Sequence, residues 1–549
     1  MLPAMLLLLA VALAEDDPIL EALAEEVDRE LVHLSAAEVP AYHLAAELTD
    51  TLSVRVLGEY GALQPYDVRR SRRVDVDVRV GSPELDNTHF LRNTADRQGT
   101  NGWSLGWGDD PGPLKRGVWR ETGKRYDQAV ERYAKVAAEA ATLVEEDPAP
   151  DLVPVDPVVS LEPLPERDFP LLEIEALVRT ASGALATSTV AHTSSVFVQG
   201  EQTWRWLVTG DGTRIRDTAN HYRIGVNVTT TADDGAALGL GTAWDAETVA
   251  HLPPTATVLE AARSLEATLE QLREAPDEGP YEGPVLLSGR ATAVFFHEIF
   301  GHRVEGHRLK QVDTAQTFKT LIDQPILPDW ISVRDDPTQA QAVGIDLNGH
   351  YTHDNEGVPA ERVTLVEDGV LRGFLNSRSP YQEGETSNGH GRRQAGHDPV
   401  TRQGNLLVTA AETTTLDELR AQLRSTAARE GLDYGLYLEE IRGGFTFTQR
   451  NMPNAFKIDV VLAWRVYVDG RPDELVRGVD LIGTPLVTFG RIVAAGDQPE
   501  VFNGYCGAES GYVPVAAVSP PMLIERVETQ RKAKQQRPPP LLAPPWEGS

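Results

Sequence analysis

The sequence predicts an α+β protein in which a mixed α/β domain comes first and a sheet-dominated domain carrying a metal site follows. The chain has 549 residues, and at roughly 150 residues per domain this length corresponds to two to four domains. Its 41% hydrophobic and 24% charged residues are typical of a globular protein with a packed core. Helical and alternating patterns mix in the first half, whereas strand and turn patterns prevail in the second.

The first half alternates between helical and strand patterns. Apolar residues recur every three or four positions over residues 18–48, which predicts a helix. Valines alternate with charged residues over 74–80, and this pattern predicts a half-buried strand. The remaining patterns predict helices over 120–146 and 255–274, a proline-rich extended loop over 147–170, and strands over 173–180, 186–199, 203–209 and 221–230.

A proline- and glycine-rich segment over residues 276–280 separates the two halves. In the second half, two short apolar runs within 363–375 predict a hairpin, and residues 457–468 predict a long strand followed by a turn. We expect an N-terminal α/β domain over residues 15–280, a C-terminal β-rich domain over 281–529 and a disordered, proline-rich tail over 530–549.

Residues 1–14 are almost entirely apolar, and charged residues begin abruptly after them. The segment is too short to span a bilayer, which needs about 20 apolar residues. It resembles the core of a secretory signal, and Ala12 and Ala14 fit a small-residue cleavage site. We expect export to the periplasm or the exterior. If the segment is instead a misassigned start or an apolar first helix, the protein is cytoplasmic. No later stretch is apolar and long enough for stable membrane insertion.

The charge and the cysteine count exclude several classes of function. The formal net charge is −31 at pH 7, and such a chain repels the phosphate backbone, so we expect no nucleic-acid partner. Cys506 is the only cysteine. A single thiol excludes an intrachain disulfide framework and a four-cysteine zinc cluster.

The residues with the most chemical information are His297-Glu298-Ile299-Phe300-Gly301-His302, which follow an apolar run. Zinc-peptidase helices space two histidines four residues apart, which returns both rings to one face. The spacing here is five, which places the rings about 140° apart on a regular helix. Gly301 would allow a π-bulge or a helix break that brings His302 back. The motif is therefore either accidental or a zinc site on a distorted helix.

A hydrolytic zinc site needs three protein ligands and one open position. A lone cysteine is more often a buried apolar residue than a ligand. Cys506, however, lies between glycines in 503–507, which predicts a turn suited to close approach of an ion. The candidates for a ligand besides His297 and His302 are Glu305, His307, His353, Asp354, His390, His397 and Cys506.

Four segments resemble the TldD/PmbA family of zinc metallopeptidases. They occur in order between His297 and Val527 and read HEIFGHRVEGHRLK, HDNEGVPAERVTLVEDGVLRGFLNSR, NGHGRR and NGYCGAESGYVPVAAVSPPMLIERV. The resemblance implies Zn²⁺ held by His297, His302 and Cys506, with Glu298 as the general base. It also implies a catalytic member of the family, because partner subunits that do not cleave lack the motif.

The resemblance further implies cleavage of peptides or unfolded polypeptide segments, bound in extended form beside a sheet. Members of the family assemble, so we expect a homodimer or a heteromer with a related subunit. The alternative is a non-catalytic metal-binding partner or scaffold subunit of such a complex. Loop residues that could bind substrate or orient the ligands, or could equally be solvated charges, are His307, His353, Asp354, His390, Arg392 and Arg393.

Overall fold

The computed structural model describes residues 17–91, 102–142, 149–310, 316–446 and 456–532. The predicted export segment and residues 533–549 of the predicted tail lie outside these ranges. No helix in the described ranges is long and apolar enough to cross a bilayer. The helices are α1 (Pro18–Leu34), α2 (Pro111–Ala140), α3 (Leu171–Gly183), α4 (Thr255–Glu274), α5 (Gly289–Ile299), α6 (His307–Lys310), α7 (Leu416–Arg429) and α8 (Pro485–Phe489).

An eight-stranded sheet dominates the first half. Its strands follow the order β4-β3-β1-β6-β7-β5, with β2 paired to β1 and β8 paired to β7. The helices α1 and α2 pack on one part of this sheet, and α3 and α4 pack on another. The strands are β1 (Ala41–Glu59), β2 (Ala62–Leu63), β3 (Arg69–Val80), β4 (Trp103–Ser104), β5 (Val159–Leu161), β6 (Thr193–Thr209), β7 (Arg214–Thr231) and β8 (Ala237–Ala246).

Two larger sheets build the second half. One has the order β18-β9-β25-β21-β19-β20, and an additional pairing of β18 with β19 closes five of its strands into a ring. The other has the order β14-β13-β10-β17-β24-β23. The strands are β9 (Glu282–Leu287), β10 (Ile331–Asp335), β11 (Gln341–Ala342), β12 (Ile345–Asp346), β13 (Val363–Glu367), β14 (Val370–Leu371), β15 (Gly391–Arg392), β16 (Val400–Thr401), β17 (Asn405–Ala410), β18 (Tyr434–Thr446), β19 (Phe456–Tyr467), β20 (Glu474–Val476), β21 (Val479–Gly483), β22 (Ile492–Ala495), β23 (Glu500–Ala508), β24 (Gly511–Ser519) and β25 (Met522–Arg531).

Helix α5 lies where the two sheets of the second half meet. It contacts β18 of the ring and β23 and β24 of the six-stranded sheet. The Ser288 hydroxyl accepts a hydrogen bond from the Ala291 backbone N–H and caps the first turn of the helix. Phe295, Phe296 and the other apolar residues of the helix are buried, as expected for a helix packed on several sides. This placement brings the end of α5 next to the strand β23.

The predicted α+β class, with a mixed first half and a sheet-rich second half, is confirmed. Two predicted elements are wrong. The helix predicted over 18–48 ends at Leu34, because Pro40 cannot continue a helix and residues from Ala41 pair on both sides as β1. Residues 173–180 belong to helix α3, where Ile174, Val178 and Ala181 are buried at helical spacing.

Other boundaries differ by a few residues or agree. The helix predicted over 120–146 begins earlier, at Pro111, where Asp110 caps it. The strands predicted over 186–199 and 203–209 form one strand, Thr193–Thr209. Helix α4 spans the predicted residues 255–274. The last strand extends to Arg531, two residues into the segment predicted as a tail.

Candidate metal centre

The two histidines lie on either side of the point where helix α5 ends. The helix stops at Ile299, Phe300 forms its C-cap, and residues 301–303 form a single 3₁₀ turn. Of the two predicted distortions, the structure therefore shows a helix break. The ring centroids of His297 and His302 lie 5.2 Å apart, with 68° between their planes. The break thus brings together two imidazoles that a regular helix would keep apart.

Gly301 leaves room for the side chain of Gln403. A Cβ at this position would lie 1.8 Å from Gln403 Oε1, far closer than real side-chain contacts. Gln403 Nε2 in turn lies 3.4 Å from the His297 carbonyl oxygen, to which it donates a hydrogen bond. The glycine therefore lets the segment around Gln403 pack directly on the end of the helix.

Cys506 lies on strand β23, where it pairs with Val513 of β24. The turn predicted around this cysteine is wrong, because the hairpin reverses beyond it, between Ala508 and Gly511. The flanking glycines instead make room for aromatic rings. A Cβ at Gly504 or Gly507 would lie 2.7 Å from the ring of Phe502 or Tyr512, respectively.

The fold brings the three donor side chains together. One ligand atom from each of His297, His302 and Cys506 lies within 4.8 Å of the other two. Cys506 Sγ lies 3.3 Å from His302 Nε2, although the two residues are 204 positions apart in the sequence. Nδ1 of His297 is buried and has no hydrogen-bond partner among the described residues.

The electrostatics of this group suit a metal ion. Burial raises the pKa of the Cys506 thiol, but His302 and His297 outweigh burial, and the net pKa lies well below the usual value. Burial lowers the pKa of both imidazoles, but Cys506 outweighs burial and their net pKa is raised. Zinc binds a thiolate and neutral imidazoles, so the ion would replace the protons that this group otherwise holds. One nitrogen from each histidine and the sulfur of Cys506 make three donor atoms, the number of protein ligands in a catalytic zinc site. The buried His297 Nδ1, which has no hydrogen-bond partner among the described residues, also fits such a site.

Glu305 orients His302. Its Oε2 lies 3.2 Å from His302 Nδ1, which leaves Nε2 directed towards Cys506. Glu305 is fully buried, and burial alone would raise its pKa. His302 and Arg308 nevertheless hold the pKa of this carboxyl well below its usual range. A carboxylate on the far nitrogen of a ligand histidine sets its tautomer and orientation in many zinc sites.

Two arginines connect Glu305 to the hairpin that carries Cys506. Arg402 is fully buried, lies 3.3 Å from Glu305 Oε1 and donates a 2.7 Å hydrogen bond to the Cys506 carbonyl. Arg308 donates to Glu305 Oε2 at 2.9 Å and to both carboxylate oxygens of Glu509, at 2.6 and 3.1 Å. One histidine and the cysteine are thus positioned through a shared network of charges.

Glu298 lies beside the donor group without belonging to it. Its Oε2 is 4.0 Å from His302 Nε2, and its side chain is partly exposed. Burial raises the pKa of Glu298, while the two imidazoles partly oppose this effect. The backbone N–H of Gly444 on β18 also donates to the carboxylate. A carboxyl with a raised pKa at this position is suited to accept and return a proton.

His307 lies next to the Cys506 hairpin but outside the donor group. It is buried on the short helix α6, and its Nε2 is 3.9 Å from Glu509 Oε2. Burial lowers the pKa of this imidazole, although Glu509 raises it. The structure therefore places His307 beside the tip of the hairpin.

The loop candidates make their contacts elsewhere. Arg205 donates to the backbone carbonyls of His353 and Asp354, at 3.0 Å each, and Arg393 donates to Glu47 at 3.0 Å. Through these contacts the three candidates face the sheet of the first half.

The other two loop candidates lie within the second half. His390 Nε2 is 3.2 Å from Asp335 Oδ1. Arg392 donates to the carbonyls of Gln403 and Pro514. Within the described ranges, no hydrogen bond or ion pair of the five loop candidates involves the donor group. Their roles in binding substrate or orienting ligands stay predictions.

Sequence reasoning missed Arg308, Arg402, Gln403 and Glu509. The sequence offers Glu305 as a ligand or as a surface charge, and the structure instead places it, buried, against His302 Nδ1. Arg402 and Gln403 follow no motif that would single them out. Their importance depends on which segments the fold places against the end of α5.

The fold and the donor group define a class: a sheet-rich α+β protein with a buried His₂Cys metal-type site beside a carboxylate. Residues 280–531 match the model of the PmbA/TldA metallopeptidase C-terminal domain. A metalloprotease of Methanothermobacter thermautotrophicus is 27% identical over 370 residues, which cover 67% of this chain and 76% of the relative. The zinc metalloprotease TldD homolog of Saccharolobus solfataricus is 24% identical over 258 residues, which cover 46% of this chain and 52% of the relative.

A solved structure supports the fold. TldE from Thermococcus kodakarensis superposes with a TM-score of 0.61 at 12% identity, covering 92% of this chain and 99% of that chain. Over residues 280–531, the chain belongs to the TldD/PmbA family.

Proposed function

We propose that the chain is a zinc-dependent peptidase in which His297, His302 and Cys506 hold the ion. The observation that carries this proposal is the convergence of the three donor atoms within 4.8 Å beside Glu298. A bound zinc ion supplies Lewis acidity, which lowers the pKa of a water molecule towards about 7 and polarises a carbonyl.

Glu298 acts as the general base. Its carboxylate accepts a proton from the attacking water and returns it to the leaving amine. The Gly444 N–H holds the carboxylate in place, and the partly buried position keeps its pKa above the usual value, which favours acceptance of the proton from water. Glu305 keeps the His302 ring oriented throughout, because it binds the nitrogen that faces away from the donor group.

The substrate is a peptide or an unfolded polypeptide segment in extended form. Cys506 lies on β23, which is the terminal strand of the six-stranded sheet as described. A peptide aligned with such a strand is recognised largely through its main chain, with little demand on its sequence. A peptide aligned along β23 would place its backbone next to the donor group. The fold shared with TldE supports assembly with a related subunit.

The test compares the purified full-length chain with Glu298→Gln on a quenched fluorescent library of unstructured peptides, with zinc content measured in parallel. We expect both proteins to hold about one zinc and only the unmodified chain to cleave. Cys506→Ala should lose most of the metal. Glu412→Gln, a change at an exposed loop carboxyl, is the matched control and should leave cleavage unchanged.

Each other outcome has a defined meaning. Equal cleavage by the Glu298→Gln variant would remove Glu298 from the mechanism. Zinc binding without cleavage by either protein would favour the non-catalytic subunit. A full equivalent of zinc in Cys506→Ala would assign the third ligand to another side chain.

A further inference from the structure

A cavity of about 440 Å³ lies between the two halves of the chain. On one side, strand β8 and the loop after it contribute Trp244, Asp245 and His251. On the other side, the start of α5 contributes Arg290, and β12 contributes Ile345 and Asp346. Ligand cavities commonly lie at such junctions and have volumes of about 300–1,000 Å³.

Two elements run from this cavity to the donor group. Arg290 precedes His297 by two turns of α5, which is about 10 Å along the helix axis. Asn503, also in the cavity wall, precedes Cys506 by three strand residues, which is again about 10 Å. The ring of Phe502, which precedes Asn503 on β23, lies 6.2 Å from the His297 ring. The cavity is therefore about three residues of extended peptide away from the donor group.

The surroundings of the cavity are acidic. Asp245 and Asp346 form part of the wall. Arg290 connects the cavity to two more carboxylates, because Glu440 accepts from its Nε at 3.0 Å and Glu500 from its backbone N–H at 2.7 Å. The arginines that face these four carboxylates are Arg290 and Arg223, which lies 2.7 Å from Asp245. His221 and His251 lie 2.7 and 2.8 Å from Asp245 and Asp346. The carboxylates outnumber the arginines by two.

Trp244 also belongs to the wall, but its side chain packs against the apolar core of the first half, on the face of β8 opposite Asp245. The charge of the cavity therefore comes from the carboxylates, which suit an incoming ammonium or guanidinium group. Trp244 and Asp245 lie outside residues 280–531, the segment that matches the family domain.

We propose that this cavity is a subsite for a lysine or arginine side chain of the peptide, about three residues from the cleaved bond. The proposal rests on the proposed peptidase function and adds a substrate class to it. The first half of the chain thereby selects the substrate that the second half cleaves.

The experiment uses the zinc-loaded, full-length protein and peptides that differ only in a lysine, norleucine or glutamate at one scanned position. Ile345 is 41% exposed in the cavity wall, and its side chain makes no hydrogen bond that a substitution would remove. Ile345→Lys and Ile345→Glu change the charge of the cavity in opposite directions. Leu172→Lys, at an 84% exposed residue outside the cavity, controls for the overall charge of the chain.

We expect lysine to be preferred over glutamate by about tenfold in kcat/KM at one position and not along the whole peptide. Ile345→Lys should abolish this preference, Ile345→Glu should increase it, and Leu172→Lys should leave it unchanged. The Glu298→Gln variant should bind the same peptides in the same order of affinity, measured by fluorescence anisotropy without turnover.

Cleavage with no preference at any position, or a preference that Ile345→Lys does not alter, would overturn the subsite and leave the peptidase intact. If no peptide is cleaved, the proposed function fails, and the binding measurement alone decides about the cavity. Equal affinity for the lysine and glutamate peptides would then overturn the subsite as well.

Discussion

Arg402 connects parts of the candidate metal centre that are far apart in the chain. Its guanidinium lies 3.3 Å from Glu305, which orients His302, and donates to the carbonyl of Cys506 at 2.7 Å and to Ser510 Oγ at 3.1 Å. A fully buried charge persists only when it is paired and hydrogen-bonded. The planar, forked geometry of arginine allows one side chain to reach all three partners.

Replacing Arg402 should weaken zinc binding while the three donors remain. We expect Arg402→Lys to lower the affinity for zinc by roughly 10–100-fold, because a single ammonium cannot hold Glu305 and the hairpin together. The measurement is competition with a chromophoric chelator on the folded protein. Glu305→Gln should weaken binding through the same path, and Arg372→Met, at a surface ion pair, is the control. Unchanged affinity in both Arg402→Lys and Glu305→Gln would show that the network does not position the ligands.

Helix α5 and the segment around Gln403 together determine the positions of the two motif histidines. The helix ends at Ile299, and the close packing of Gln403 on Gly301 accompanies the break. The Gln403 side chain also bonds the His297 carbonyl, one turn before the break. The geometry of the two histidines therefore depends on an element more than 100 residues away.

Gly301→Ala should destabilise the protein by about 1–3 kcal/mol, because the added methyl group overlaps Gln403. Chemical denaturation of the single variants and of the double variant with Gln403→Ala measures the coupling. The cost of Gly301→Ala should shrink in the Gln403→Ala background. Gly123→Ala is the control, because nothing lies near its Cβ position in helix α2, and it should stabilise slightly. Equal costs of Gly301→Ala in both backgrounds would contradict the packing explanation.

At the scale of the whole molecule, a buried ionic contact connects the first sheet to the loops of the second half. Arg393 lies between Glu47 on β1 and Asp75 on β3, at 3.0 and 2.9 Å. All three side chains are buried, with exposed fractions of at most 5%. Nearby, Arg378 donates to the Val153 carbonyl and to Asp211, which adds a second connection of the same kind. These contacts keep the first half against the second, where the cavity beside α5 forms.

Arg393→Met should destabilise the chain by up to about 3–5 kcal/mol, since two buried carboxylates lose a shared cation and keep Arg73 beside Asp75 and Arg205 beside Glu47. Arg372→Met removes an exposed pair and should cost no more than about 1 kcal/mol. Urea denaturation of both variants checks the difference. Similar costs for the two would mean that the buried contact contributes no more than a surface pair.

Local sequence patterns predicted the elements whose secondary structure is determined by residues close together in the chain. Helix α4 and the strand at 74–80 have clear periodicity, and both occur where predicted. The pattern of residues 173–180 predicts a strand, but the segment is helical, because a short apolar run does not distinguish a strand from a helix. The strand that carries Cys506 was missed for a related reason. Its glycines indicate a turn locally, but here they accommodate rings of the same hairpin.

The motif His297–His302, its glycine and the lone cysteine were visible in the sequence, and so was the family resemblance. The chemistry of the candidate site could therefore be predicted from residue types and spacing. The form of the helix break, the approach of Cys506 to His302 and the contacts of Arg402 and Gln403 follow only from the fold. They depend on packing between segments about 100 and 200 residues apart, and no local pattern encodes which distant side chain will fill the space beside a glycine or a buried carboxylate.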